Sequence, residues 1–177
     1  MDAKTVVLPD AKTFTLPVKE EKPTKTVVKK EKAIRKEAAQ WSLPLEYLDP
    51  EQQPTCFADT SVCALAKRQI MNKIHGYKSQ DIEKHKYNPD LFVDYDFVRN
   101  LLIEKNFKCY YCKEPVFVFY NYVRENKQWT LERIDNSMGH NKDNVQVACL
   151  ICNLRRRTMH HERYLLTKQM MVVKKLD

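Results

Sequence analysis

Two Cys-x-x-Cys pairs, Cys109 with Cys112 and Cys149 with Cys152, constrain this chain more than any other feature. Two residues between thiolates form a tight knuckle in which both sulfurs face one point. Two such knuckles supply the four tetrahedral ligands of a structural Zn²⁺ site. The spacer between the pairs is longer than a simple zinc ribbon needs, so a hairpin is expected inside it. The stretch runs Gln128-Trp-Thr-Leu-Glu-Arg-Ile-Asp-Asn-Ser-Met-Gly-His-Asn-Lys-Asp-Asn-Val-Gln-Val-Ala-Cys149 and continues as Leu-Ile-Cys152-Asn153-Leu-Arg-Arg-Arg157.

The redox compartment decides between zinc and disulfides. There is no apolar run of membrane-spanning length, and Asp10, Lys12 and Lys19 interrupt the N-terminal stretch where a signal peptide would need an apolar core. The expectation is an intracellular protein, of cytoplasm or nucleus, with no membrane partner and with reduced thiols that favour zinc. Cys56 and Cys63 read instead as small apolar side chains of a helical region.

With 177 residues the chain holds one ordinary domain with extensions. Only two glycines stand against 31% charged residues, which argues against a large open α/β or all-β fold. The expected class is α+β: a small zinc-stapled core with flanking helices and a disordered basic N-terminal arm. The net charge of +8 points to a polyanionic partner, of which nucleic acid is the first candidate.

Four segments are expected. Residues 1–40 read as the basic arm, broken by Pro9, Pro17 and Pro23, with a short helix over about 31–40. Its Lys29-Lys30-Glu31-Lys32 and Arg35-Lys36 clusters suit a phosphate backbone, nuclear import or plain solvation. Residues 41–108 form a helical layer. An extended proline-rich stretch leads into an amphipathic helix from about Thr60 to Gly76, then a polar connection, then a helix capped by Asp94 and running to about Lys105. Residues 109–160 form the core, with strands over Val116–Val123, Trp129–Ile134 and Val145–Ala148. Residues 161–177 form a basic C-terminal helix, from His161 to Val173, with Tyr164, Leu165, Leu166, Met170 and Met171 toward the body.

Glu132-Arg-Ile-Asp135-Asn, Gly139-His140, Asp143-Asn144-Val and Cys149-x-x-Cys152-Asn153, in that order, resemble the HNH (ββα-metal, His-Me finger) endonucleases of phages, large DNA viruses and mobile elements. That resemblance implies hydrolysis of phosphodiester bonds in nucleic acid, DNA first, with a catalytic Mg²⁺ or Mn²⁺ on oxygen and amide ligands and a silent structural Zn²⁺. It implies Asn153 as metal ligand at the start of a helix and Asn144 as the residue that pins the loop. Asp135 and Glu132 are the candidate carboxylates, one a ligand and the other an arginine partner, with Asp135 preferred.

Where many members have Asp-His, this chain has Glu132-Arg133, so His140 is the histidine left in the hairpin to serve as general base. Arg133, Arg155, Arg156 and Arg157 are expected on phosphates. The alternative is a non-catalytic zinc-stapled module that keeps the fold and binds nucleic acid or serves a structural role.

Overall fold

Helix α1 (Thr60–Glu83) begins where Asp59 accepts a hydrogen bond from the Ser61 N–H, and it runs through Gly76 rather than ending there. Its buried stripe of Val62, Ala66, Ile70 and Ile74 holds the helical period, and the same phase continues inward at Tyr77 and Asp81. A Cβ on Gly76 would meet nothing, so the glycine sits on the open side and marks no helix end. Helix α2 (Tyr95–Glu104) starts at Asp94, which caps the Phe97 N–H at 2.8 Å, and buries Val98, Leu101 and Leu102.

The computed structural model describes residues 32–40 and 43–173, without the side chains of Gln40 and 171–173. The arm expected up to Glu31, Trp41, and Lys174 with Lys175 lie outside the described residues. The described residues from Lys32 onward fall in one compact unit. Residues 32–40 therefore belong to the body and not to an arm. Ile34 bridges Tyr122, and a 3-10 turn at Ala38–Gln40 stands where a longer helix was expected. The stretch expected to be extended instead coils into 3-10 turns at Leu45–Leu48 and Gln53–Phe57, burying Tyr47, Gln53 and Cys56.

Strands β1 (Trp129–Arg133) and β2 (Val145–Cys149) pair antiparallel, with Trp129 opposite Cys149 and Leu131 opposite Val147. Short helix α3 (Leu150–Arg156) follows β2 directly, and α4 (His161–Val173) closes the described chain. Tyr164 of α4 packs edge-on against Tyr111 at 4.9 Å. Leu165 is half-buried, while Leu166 and Met170 are exposed, so α4 docks through its first turns and not along its whole apolar set. Among the described residues, two strands and four α-helices make a mixed α+β fold, and no helix is long and apolar enough to cross a membrane.

Val116–Val123 does not form the strand that its β propensity suggests. Its side chains go inward almost consecutively, with Val116, Val118, Phe119 and Tyr120 all buried. Phe117 bridges Gln128 and Tyr122 bridges Ile34, while the backbone between them at Val118 and Phe119 is served by a side chain rather than a strand. Gln53 takes that role. Its Oε1 accepts the Val118 N–H at 2.6 Å and the Phe119 N–H at 3.2 Å, and its Nε2 donates to the Phe119 carbonyl at 2.8 Å. One fully buried amide thus satisfies three backbone groups. Gln53→Leu keeps the volume but orphans all three, so unfolding in urea should show a loss of roughly 2–5 kcal/mol. Exposed Gln52→Leu should stay within about 0.5 kcal/mol of the parent.

Candidate functional site

The four paired cysteines meet. Their sulfurs all lie within 4.8 Å of one another, with Cys112 and Cys149 at 3.8 Å. Zn–S bonds of about 2.3 Å at tetrahedral angles set sulfurs about 3.8 Å apart, so the cluster fits a metal such as zinc. Backbone geometry builds the first knuckle. The Cys109 N–H donates to the Glu114 carbonyl, the Lys113 N–H to the Cys109 carbonyl, and Lys113 takes a positive φ of 60° to turn the chain. The Tyr110 N–H then donates to the Val147 carbonyl at 2.8 Å, locking this knuckle to β2. Hydrogen bonds from Cys112, Cys149 and Cys152 drive the Cys109 thiol far down, while the same sulfur contacts push the Cys149 and Cys152 thiols up.

The opposite end of the hairpin is held by Asn144. Its Oδ1 accepts the Asp135 N–H at 2.8 Å, and its Nδ2 donates to the carbonyls of Asp135 and Gly139 at 2.9 and 3.0 Å. Gly139 is required by close approach: a Cβ there would lie 2.4 Å from the Lys86 carbonyl oxygen and 2.9 Å from Asp81 Oδ2. Asp135 is exposed, and its carboxylate closes a turn onto the Ser137 N–H at 2.7 Å, a bond that also lowers its pKa.

That loop delivers His140 to a buried position. Asp81, from the last turn of α1, accepts the His140 backbone N–H at 2.6 Å and faces ring Nδ1 at 2.8 Å. The Val93 N–H donates to the His140 carbonyl, and the Tyr77 ring stacks on the imidazole with centroids 4.4 Å apart. A carboxylate at Nδ1 holds the proton there and leaves Nε2 as the acceptor. Burial lowers the His140 pKa despite the opposing pull of Asp81, so the imidazole is neutral at pH 7. Asp81 and Tyr77 were not singled out from sequence. Their signal was the helical phase of α1, Tyr77 lying seven and Asp81 eleven residues beyond Ile70.

His140 borders a cleft of ≈ 410 Å³ that also takes in Thr130, Glu132, Arg133, Asn153 and Arg157. Asn153, half-buried in α3, donates its amide N–H to Thr130 Oγ1 at 3.1 Å, which leaves Oδ1 as its acceptor group. It does not cap α3, whose N-cap is Cys149. Glu132 is buried, with Oε1 on the Arg156 guanidinium and Oε2 without a hydrogen-bond partner. Burial pushes its pKa up to about 7, against the pull of Arg156. Glu132 thus brings a buried carboxylate oxygen without a partner, and Asn153 an amide oxygen, and both residues line the cleft. Asp135 lines a separate depression with Arg156 and His160, and Glu132 is the carboxylate on the His140 cleft.

The arginines separate. Arg156 is only 2% exposed and donates to the Arg133 carbonyl at 2.7 Å and the Ile134 carbonyl at 2.8 Å, besides Glu132. It is a buried strut and does not reach a phosphate. Its place four residues after Cys152, on the same helical face, was the available signal. Arg155 and Arg157 are exposed, and Arg133 is half-buried, with Nη1 donating to the Met138 carbonyl. No family model, no curated protein and no solved structure matches this chain.

Two outcomes follow from this geometry. Protein purified without chelator should carry one Zn per chain by elemental analysis, and Cys109→Ser should lose both the metal and the ordered hairpin. Because the folded pKa of His140 lies below the unfolded 6.5, the unfolded chain binds more protons as pH falls through that window. Stability is complete above the unfolded value and declines as pH falls through the folded one. Glu132, with its pKa raised to about 7, contributes in the opposite direction over this window, so the His140 share is the difference in denaturation stability between parent and His140→Gln. That difference should shift against the parent as pH falls from about 7.5 to 5.

Proposed function

We propose that the chain is a metal-dependent endonuclease of HNH type, acting on phosphodiester bonds in DNA, with a structural zinc in the four-cysteine cluster. The observation that carries the reading is the buried Asp81–His140 pair, tautomer-set and bordering the same cleft as Asn153 and two arginines. In this reading the β1–β2 hairpin and α3 form a ββα-metal core. Glu132 and Asn153 would hold Mg²⁺ or Mn²⁺, which when bound supplies charge stabilisation at phosphorus and at the leaving oxygen.

The residues of the chain do the rest. His140 Nε2 takes a proton from water as the water oxygen bonds to phosphorus. The bond from phosphorus to the 3′ oxygen breaks, and that oxygen takes a proton from solvent. Asp81 keeps the Nδ1 proton in place and stabilises the imidazolium that forms, and does not itself accept the proton. Arg133 and Arg157 offset the phosphate charge. Tyr77 fixes the ring plane by stacking and accepts the Leu131 N–H at 3.0 Å, coupling α1 to the strand that bears Glu132.

A rival reading has its own observation: the Arg156 ion pair on Glu132 engages the carboxylate that a catalytic ion would need. A non-catalytic zinc-stapled module that binds nucleic acid would tolerate that pair indefinitely. Nicking of supercoiled plasmid by zinc-loaded protein with Mg²⁺ or Mn²⁺, against an EDTA control, distinguishes the two.

His140→Ala should fold, keep its zinc and nick at least about a hundredfold more slowly, the usual size of a general-base contribution. Asp81→Asn should lower the rate comparably. The ¹⁵N shifts of its His140 ring should also report loss of the Nδ1–H tautomer, while the zinc content stays at the parent value. Parent rates in both variants would remove the assignment.

A further inference from the structure

Beside the His140 cleft lies a second depression of ≈ 670 Å³, walled by Arg35, Lys36, Tyr120, Arg124 and Leu154, with Glu37 at its side. Leu150 and Leu154 of α3 line both, so the two depressions adjoin as a groove on either side of these side chains. The far wall exists because residues 33–35 pair with 121–123. The Arg35 N–H donates to the Asn121 carbonyl and the Val123 N–H to the Ala33 carbonyl, each at 2.8 Å. The Arg35 guanidinium lies over the Tyr120 ring, 4.1 Å from its centroid, and donates to the Tyr120 carbonyl.

The groove is positive along its length. Arg133 and Arg157 stand at the cleft end, and Arg35, Lys36 and Arg124 at the far end. Its two carboxylates are engaged, Glu132 by Arg156 and Glu37 by Arg35 at 2.9 Å. Lys36 and Arg124 are exposed and form no ion pair among the described residues. Between the two charged ends the floor is apolar, with Leu154 60% and Val123 48% exposed.

We infer that this groove is the track of a DNA backbone: the strand whose phosphodiester enters the His140 cleft continues across Leu154 and sets its flanking phosphates on Lys36 and Arg124. The inference deepens the nuclease reading and rests on it for the occupant of the cleft. Charged ends separated by an apolar saddle match a chain whose phosphates are separated by sugars, and a nucleic-acid backbone is satisfied by cations at any sequence. The track also gives Lys36, which the sequence left as one of several basic residues, a definite place within the body.

The test uses the zinc-loaded full chain and a labelled DNA duplex, with no Mg²⁺ or Mn²⁺, read by fluorescence anisotropy across a salt titration. Lys36→Gln with Arg124→Gln should bind at least about tenfold more weakly, and the slope of log K against log salt should shrink by about 2, because each phosphate contact contributes about 0.9. Lys67→Gln with Lys108→Gln removes the same charge away from the groove and should leave affinity and slope near the parent. Parent-like binding by the first pair, or an equal loss in the second, overturns the track. Plasmid nicking by the unmutated protein is scored separately. Nicking alongside unchanged binding sinks only the track, and lost binding without nicking sinks only the hydrolytic reading.

Discussion

The convergence of four cysteine sulfurs is the constraint on which the rest of the structure depends. The β1–β2 sheet has two strands of five residues each, and a hairpin of that size is marginal in water by itself. Bringing residues 109–112 and 149–152 together holds the end of β2 against the first knuckle and makes Cys149 at once a member of the sulfur cluster and the N-cap of α3. From that fixed start, helical phase alone sends Cys152 and Arg156 inward and sets Asn153 on the cleft. The Arg156 guanidinium then fastens α3 to the carbonyls of Arg133 and Ile134 at the far end of β1. A staple at one end and a buried arginine at the other leave the hairpin little freedom.

A second support comes from outside the hairpin. Helix α1 passes Gly76 for two further turns, and in those turns it contributes Tyr77 and Asp81 to the loop that carries His140. Asp81 accepts both the backbone N–H and the ring Nδ1 of one residue, while Val93 and Asn144 hold the neighbouring carbonyls. A histidine held this tightly has its tautomer chosen by the fold. Burial keeps it neutral, the state in which Nε2 can take a proton.

Much of this was legible in the sequence wherever a residue carries its own local signal. The Cys-x-x-Cys spacing, the Asp94 cap, the two core strands and the span of α4 all rest on short-range chemistry, and the structure has each of them. The misses are tertiary. Gly76 read as a helix end because glycine often is one, yet nothing beyond it stops the helix and a packing face continues. Val116–Val123 read as a strand from β propensity, which cannot reveal that isolated bridges hold its ends and a buried Gln53 serves Val118 and Phe119 between them. The three consecutive arginines read as one basic patch, whereas helical phase buries the middle one and exposes the outer two. Asp135 read as the better carboxylate; it closes a turn onto the Ser137 N–H and borders a separate depression, whereas Glu132 borders the His140 cleft.

The central claim is that a neutral, Asp81-oriented His140 acts as a base in DNA hydrolysis. Its most direct test is the pH dependence of single-turnover plasmid nicking by the zinc-loaded protein at saturating Mg²⁺ or Mn²⁺. With Glu132 kept ionised by the saturating ion, the rate should rise through one ionisation below 6.5, the ordinary histidine value, to a plateau at neutral pH, and the profile should lose this limb in His140→Ala. A limb that persists unchanged without the histidine, or no cleavage at any pH with either metal, would contradict it.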